Sequence, residues 1–163
     1  MEKKVIRAAL LGLGTVGTGV YKVLKSQKEE MIPKLGSEIE ISKVLVRNLE
    51  KAASKVEDPK ILTNNWDDIV NDPEIDIVIE LIGGIEPART YILSALNAGK
   101  HVVSANKDLI AVHGKELLDA AEAHHVDFLF EAAVAGGIPI IRPLKECLAG
   151  NHMAEVMGIV NGT

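Results

Sequence analysis

A chain of 163 residues can bury the core of one domain and barely that of two, and 47% hydrophobic with 25% charged residues is ordinary for a soluble globular protein. A net charge of −5 with no block of lysine or arginine argues against a nucleic-acid or membrane-surface partner, and 3% aromatics leave the core to Val, Ile, Leu and Ala, as in a sheet buried on both faces. A single cysteine, Cys147, excludes an internal disulfide framework; neither a signal peptide nor a membrane-length apolar run is visible, so a cytoplasmic setting is expected.

Val5 to Leu11 is an apolar run that leads into Gly12-Leu13-Gly14-Thr15-Val16-Gly17. A strand, Gly-x-Gly-x-x-Gly and a helix form the phosphate-binding turn of a dinucleotide fold. Gly12 lets the chain leave the strand tightly, Gly14 leaves a pyrophosphate free to reach the backbone, and Gly17 lets the helix lie close to the strand. The helix starting near Thr15 would direct free N–H groups at the phosphate, with Val16, Val20, Val23, Leu24 and later Met31 on one face. Pro33 and Gly36 mark a break before a second strand, Ile39 to Val46. Where an acid after this strand would favour NAD, this chain has Arg47, with Lys51 one turn on. A guanidinium suits a 2′-phosphate, which favours NADP, although an exposed strand-end arginine is also common.

Leu49 to Val56 reads as a short charged helix, Ile61 to Thr63 as a short strand, and Trp66 to Val70 as a helical turn or two with Trp66 a packing residue. Ile75 to Ile82 is a central strand closed by Gly83-Gly84, a glycine pair on the ligand side of an open α/β sheet. Pro87 opens a helix that runs to about Ala98, with Gly99 as its C′ residue. His101 to Ser104 is a strand, and Gly114 to His125 a helix with Leu117, Leu118, Ala121 and His125 inward. Asp127 to Glu131 is a further strand, followed by a small-residue loop, Ala132 to Pro139, that opens a helix ending around Ala149-Gly150; Glu155 to Val160 is a last strand. The alternation gives an α/β class: a Rossmann-type doubly wound, mostly parallel sheet with helices on both faces, one dinucleotide-binding domain over residues 1–163.

No serine sits in a nucleophile elbow, and the five histidines lack zinc-ligand spacing. The cluster with chemical promise is Ser104-Ala105-Asn106-Lys107, at the ligand end of a strand. Lys107 there could hold a negatively charged substrate or stabilise developing charge on a carbonyl oxygen; a solvated loop lysine is an equal reading. Glu131 stands at a strand end beside a loop whose carbonyls could hold a hard cation, but a tight connection is the favoured reading of these residues alone.

Taken together these stretches resemble the N-terminal nucleotide-binding part of the homoserine dehydrogenases, over essentially the whole chain. The matching phrases are Leu10-Leu11-Gly12-Leu13-Gly14-Thr15-Val16-Gly17, Glu80-Leu81-Ile82-Gly83-Gly84, His101-Val102-Val103-Ser104-Ala105-Asn106-Lys107, Phe130 to Ile140, and Gly158-Ile159-Val160-Asn161-Gly162-Thr163. The resemblance implies reversible reduction of L-aspartate 4-semialdehyde to L-homoserine with NADPH or NADH, a branch step toward threonine and methionine. It implies that Lys107 lies between cofactor and substrate and assists catalysis. It also implies that Leu13, Thr15, Val16, Ile82, Ser104 and Gly162 contact the dinucleotide, beside Gly12, Gly14, Gly17, Arg47, Gly83, Asn106 and Lys107. Glu131, Val134, Gly136 and Ile138 would hold a sodium ion through main-chain oxygens.

In that family a substrate and dimerisation region follows Asn-Gly-Thr, so this chain is expected to be an excised domain of a homo-oligomer, binding cofactor with little or no turnover. Asn48 stands where many relatives have an acid, which would weaken discrimination against NAD. Two rivals share features: the glucose-fructose oxidoreductase type through Gly99-Lys100-His101-Val102, and a non-catalytic nucleotide-sensing domain through the glycine turn.

Overall fold

The first apolar run becomes β1 (Val5–Leu11), the middle of a six-stranded parallel sheet in the order β3-β2-β1-β4-β5-β6. The computed structural model describes residues 5–159. Side chains alternate across a strand, so Ala9 and Leu11 enter the core on one face of β1 while Leu10 enters the core on the other. Leu10 and Leu11 are fully buried, each worth about 1.5–3 kcal/mol of burial.

The helices cover both faces. Tyr21 of α1 (Thr15–Ser26) and Ala52 of α3 (Leu49–Ala53) join Leu10 and Val44 of β2 (Glu38–Leu45). On the opposite face Ile69 of α4 (Asp67–Val70), Ile92 and Leu96 of α5 (Ala88–Asn97) and Leu117 of α6 (Lys107–Ala123) pack against Val78 of β4 (Ile77–Glu80) and Val102 of β5 (His101–Ser104). The short strands β3 (Leu62–Thr63) and β6 (Phe128–Leu129) close the two edges. Because β1 pairs with β2 on one side and β4 on the other, the order reverses there, and the crevice for a ligand opens above their carboxyl ends.

Several expectations are corrected. The inner face of α1 is Gly17, Tyr21 and the half-buried Val20 and Leu24, while Val16 and Val23 are 59% and 54% exposed. The close approach of Gly17 to the glycine turn fixes the helix's rotation and takes both valines outward. α1 stops at Ser26, so Met31 belongs to a separate α2 (Lys28–Leu35), which carries Pro33 in its last turn and ends at left-handed Gly36. α6 begins at Lys107, seven residues before Gly114, because the Asn106 side chain accepts from the Leu109 N–H at 3.2 Å and caps it there. Leu118 and His125 face outward. The strand expected over residues 127–131 shortens to β6 with a 3₁₀ turn at Glu131–Ala133 after it, and the helix expected beyond the small-residue loop is present as a π-helical turn, Pro143–Cys147. Residues 155–159 are irregular and exposed, since no described strand pairs with them. The final residue of that expected strand lies outside the described residues.

Lys100 is 4% exposed at the amino end of β5, where its ammonium donates to the carbonyls of Asp72 and Ile75 at 2.5 and 3.0 Å. Burial pushes its pKa below the ordinary lysine value. This clip is at the end of the sheet opposite the crevice and serves the fold.

Gly19 lies within α1 with open space around its missing Cβ and an ordinary helical φ. Gly19→Ala should therefore stabilise the domain by about 0.5–1 kcal/mol, measured as a raised urea midpoint at unchanged m-value.

Candidate functional site

The crevice floor is fixed by hydrogen bonds that extend the sheet past the strand ends: the Gly12 N–H donates to Leu45 O and the Leu81 N–H to Leu11 O, both at 2.9 Å. Gly12 has φ +94°, and a Cβ there would sit 3.0 Å from Ile82 Cγ2 and 3.1 Å from Leu81 O. A Cβ on Gly17 would lie 2.1 Å from the Gly12 carbonyl oxygen, whereas one on Gly14 would meet nothing within 4 Å among the described residues. Two glycines thus close the turn, and the third keeps its mouth open. Gly14 is the N-cap of α1 and supplies no side-chain cap, so the first N–H groups of the helix have no side-chain partner there.

A cavity of 540 Å³ opens here, walled by Gly12, Leu13 and Gly14 on one side and by Ile82 and Tyr91 on another. Tyr91 stacks on Trp66 at 4.7 Å, and the Trp66 indole donates to Ser94 Oγ at 3.0 Å, so Trp66 packs as expected. The third wall is cationic: Arg47, Lys51 and Lys55 line it, and among the described residues no carboxylate does. Arg47 and Lys51 are exposed. Asn48 is occupied, its Oδ1 accepting from the Lys51 N–H at 2.8 Å as the cap of α3. Sequence reasoning missed Lys55, whose Nζ donates to Leu13 O at 2.7 Å across a gap of 42 residues. A basic residue one turn beyond Lys51 was the available signal.

A second group of expected residues gathers at the carboxyl ends of β4 and β5, outside the cavity wall. Ser104 and Asn106 are 0% and 6% exposed and Gly83 and Lys107 exposed. Their hub is Glu80, 0% exposed, which accepts from the Ile82 and Gly83 N–H groups at 2.9 and 3.2 Å and from Ser104 Oγ at 2.7 Å. Ser104 Oγ accepts from the Asn106 N–H at 3.1 Å, and Asn106 Nδ2 donates to Gly84 O at 2.6 Å. The Ser104 hydroxyl is therefore engaged within the protein. Thr15 and Val16 are exposed in the first turn of α1, and Gly162 lies outside the described residues.

The Glu131 loop lies apart, after β6. The Glu131 carboxyl accepts from the N–H groups of Ile140, Ile141 and Arg142 at 2.5, 2.9 and 2.8 Å, and these bonds, the Ile140 one foremost, hold it below the usual carboxylate range. Ala135 and Gly136 are both left-handed, at φ 58° and 60°, and reverse the chain between Val134 and Ile138. Among the described residues no group of three His, Cys, Asp or Glu side chains is placed to hold a metal. Likewise, no helix there is long and apolar enough to cross a membrane.

A family model for the homoserine dehydrogenase NAD-binding domain matches residues 12–131. The homoserine dehydrogenase of Bacillus subtilis is 50% identical over 161 residues, covering 98% of this chain and 37% of its own length. That of Corynebacterium glutamicum is 48% identical over 155 residues, 95% of this chain and 35% of its own. Among solved structures, a homoserine dehydrogenase from Thiobacillus denitrificans superposes with a TM-score of 0.86 at 52% identity, over 91% of this chain and 34% of that one. The chain thus spans little more than a third of the length of the curated relatives it matches. With the reversed strand order, the open glycine turn and these matches agreeing, the chain belongs to the homoserine dehydrogenase family, as its NAD-binding domain.

Proposed function

We propose that this chain is the coenzyme-binding part of an enzyme that reversibly reduces L-aspartate 4-semialdehyde to L-homoserine, with NADPH favoured over NADH. The observation that carries the coenzyme reading is the crevice at the switch between β1 and β4, where an open Gly14 faces a wall of three cations with no carboxylate among the described residues. A dinucleotide fits these residues: the α1 amides and Gly14 suit its pyrophosphate, while Arg47 and Lys51 suit a 2′-phosphate. When bound, the coenzyme supplies the hydride. Lys107, exposed at the start of α6, is suited to hold a substrate oxygen as charge develops on it. The relatives are named for this activity, and their greater length supports a further substrate and assembly region, in a cytoplasmic homo-oligomer serving threonine and methionine formation. The coenzyme-binding domain by itself binds coenzyme with little or no turnover.

A sodium ion on the main-chain oxygens of Glu131, Val134, Gly136 and Ile138 belongs to the same proposal. The reversal at Ala135 and Gly136 supports it by bringing this run back on itself, and the Glu131 carboxyl, already held by three N–H donors, leaves the carbonyls as ligands.

The test is titration with NADPH and NADH, with and without Arg47→Ala. NADPH affinity should fall about tenfold or more and NADH affinity change less than about twofold, as for the loss of one charge-assisted hydrogen bond. Equal loss for both coenzymes would refute the phosphate role.

A further inference from the structure

An acid inside an apolar strand needs a reason, and Glu80 is the last residue of β4, fully buried and accepting three hydrogen bonds. Its donors come from a loop and a neighbouring strand end. Ile82 and Gly83 belong to the loop after β4, and Ser104 ends the next strand. The Glu80 main-chain carbonyl also accepts from the Ala105 N–H at 3.4 Å. From Ser104 the chain of bonds runs on in one direction: the Asn106 N–H donates to Ser104 Oγ, so the single hydroxyl proton must go to Glu80 Oε2. Asn106 in turn ties back to Gly84 O and caps α6 through the Leu109 N–H. The residue after Asn106 is Lys107, the first of α6.

We propose that Glu80 is a positioning residue for the reaction: through Ser104 and Asn106 it sets where α6 starts, and so where Lys107 stands relative to the Ile82-Gly83-Gly84 loop. The inference rests on the reaction proposed above and deepens it. The physical ground is that a buried donor left without an acceptor must move, and displacement of a reacting group by about 1 Å can lower a rate about a hundredfold. Glutamine at position 80 keeps the shape but replaces one acceptor oxygen by an NH₂ donor. Either the two loop amides or the Ser104 hydroxyl then faces a donor.

The test compares Glu80→Gln, Ser104→Ala and the double variant in the complete enzyme that carries this domain, scaled to the folded fraction. Glu80→Gln should lower kcat about tenfold to a hundredfold, with NADPH affinity falling by a clearly smaller factor, because Ile82 walls the coenzyme cavity but the glycine turn is untouched. Ser104→Ala should do the same, and the double variant should be no worse than the poorer single one, because both break one chain of bonds. Amide exchange should quicken about tenfold at Ile82, Gly83 and Asn106 while the Gly12 amide, bonded to Leu45 O, stays protected. Unchanged kcat in both single variants, additive losses, or an NADPH affinity falling in step with kcat overturns the proposal. Should Glu80→Gln not fold, Ser104→Ala bears the same kcat and Asn106 exchange criteria. A wild-type enzyme inactive on L-aspartate 4-semialdehyde would sink the proposed reaction; amide exchange would then decide the network, an unchanged pattern overturning it.

Discussion

Lys107→Ala in the complete enzyme should lower kcat by about two to four orders of magnitude while leaving the fold as stable as before or slightly more so. The two halves of this expectation come from one position. Lys107 is the first residue of α6, at the positive end of the helix, where a cation is disfavoured by about 0.3–1 kcal/mol. Its side chain is exposed, so no packing is lost on truncation. In the proposed reaction, an ammonium held against the local field at the ligand end of a sheet serves an incoming negative charge rather than the helix. Hydride delivery to an aldehyde leaves charge on the carbonyl oxygen, and a cation beside it acts most strongly once that charge has formed. The loss should therefore appear chiefly in kcat, with the Kd for NADPH little changed. A kcat within about threefold of wild type, at equal thermal midpoint, would return Lys107 to the status of a solvated loop residue.

What could be read from the residues was what depends on near neighbours. The glycine turn was legible because strand, Gly-x-Gly-x-x-Gly and helix are contiguous and Gly17 answers to Gly12 five residues before it, and Arg47 because it follows a strand whose limit is plain. The parallel α/β class followed from alternation, and family membership sets aside the glucose-fructose oxidoreductase and sensing-domain readings. What was not legible depends on distant partners. Glu80 looked like an interruption of an apolar run, because its hydroxyl donor, Ser104, is 24 residues away. Lys55 reaches the Leu13 carbonyl across 42 residues. The rotation of α1 depends on how near Gly17 comes to Gly12, which a periodicity of valines does not express. The start of α6 was hidden because Gly114 resembles a helix boundary, whereas a glycine inside a 17-residue helix costs about 1 kcal/mol that packing offsets. The expected last strand failed for want of a partner ladder, which no local pattern supplies.

The glycine turn itself yields the other large effect, because its glycines have opposite reasons to be bare. Gly17→Ala would place a methyl carbon 2.1 Å from the Gly12 carbonyl oxygen and 3.0 Å from its carbon, both backbone atoms with no rotamer to escape into. The helix must retreat from β1, pulling Tyr21 from the Leu10 and Val44 core and from the Glu57 N–H that its hydroxyl accepts at 3.2 Å. We expect a loss of about 3 kcal/mol, at the upper end for overpacking, with coenzyme binding lost alongside. Gly14→Ala meets no atom and needs no unusual φ, so its stability cost should be only the about 0.5–1 kcal/mol by which alanine is the poorer N-cap. Its methyl would instead stand where a pyrophosphate must approach the first amides of α1, so NADPH and NADH affinity should both fall more than about tenfold. Urea unfolding and coenzyme titration of the two variants separate packing from binding. If Gly14→Ala unfolds as readily as Gly17→Ala, or keeps its coenzyme affinity, the open mouth of the turn is not where the diphosphate is held.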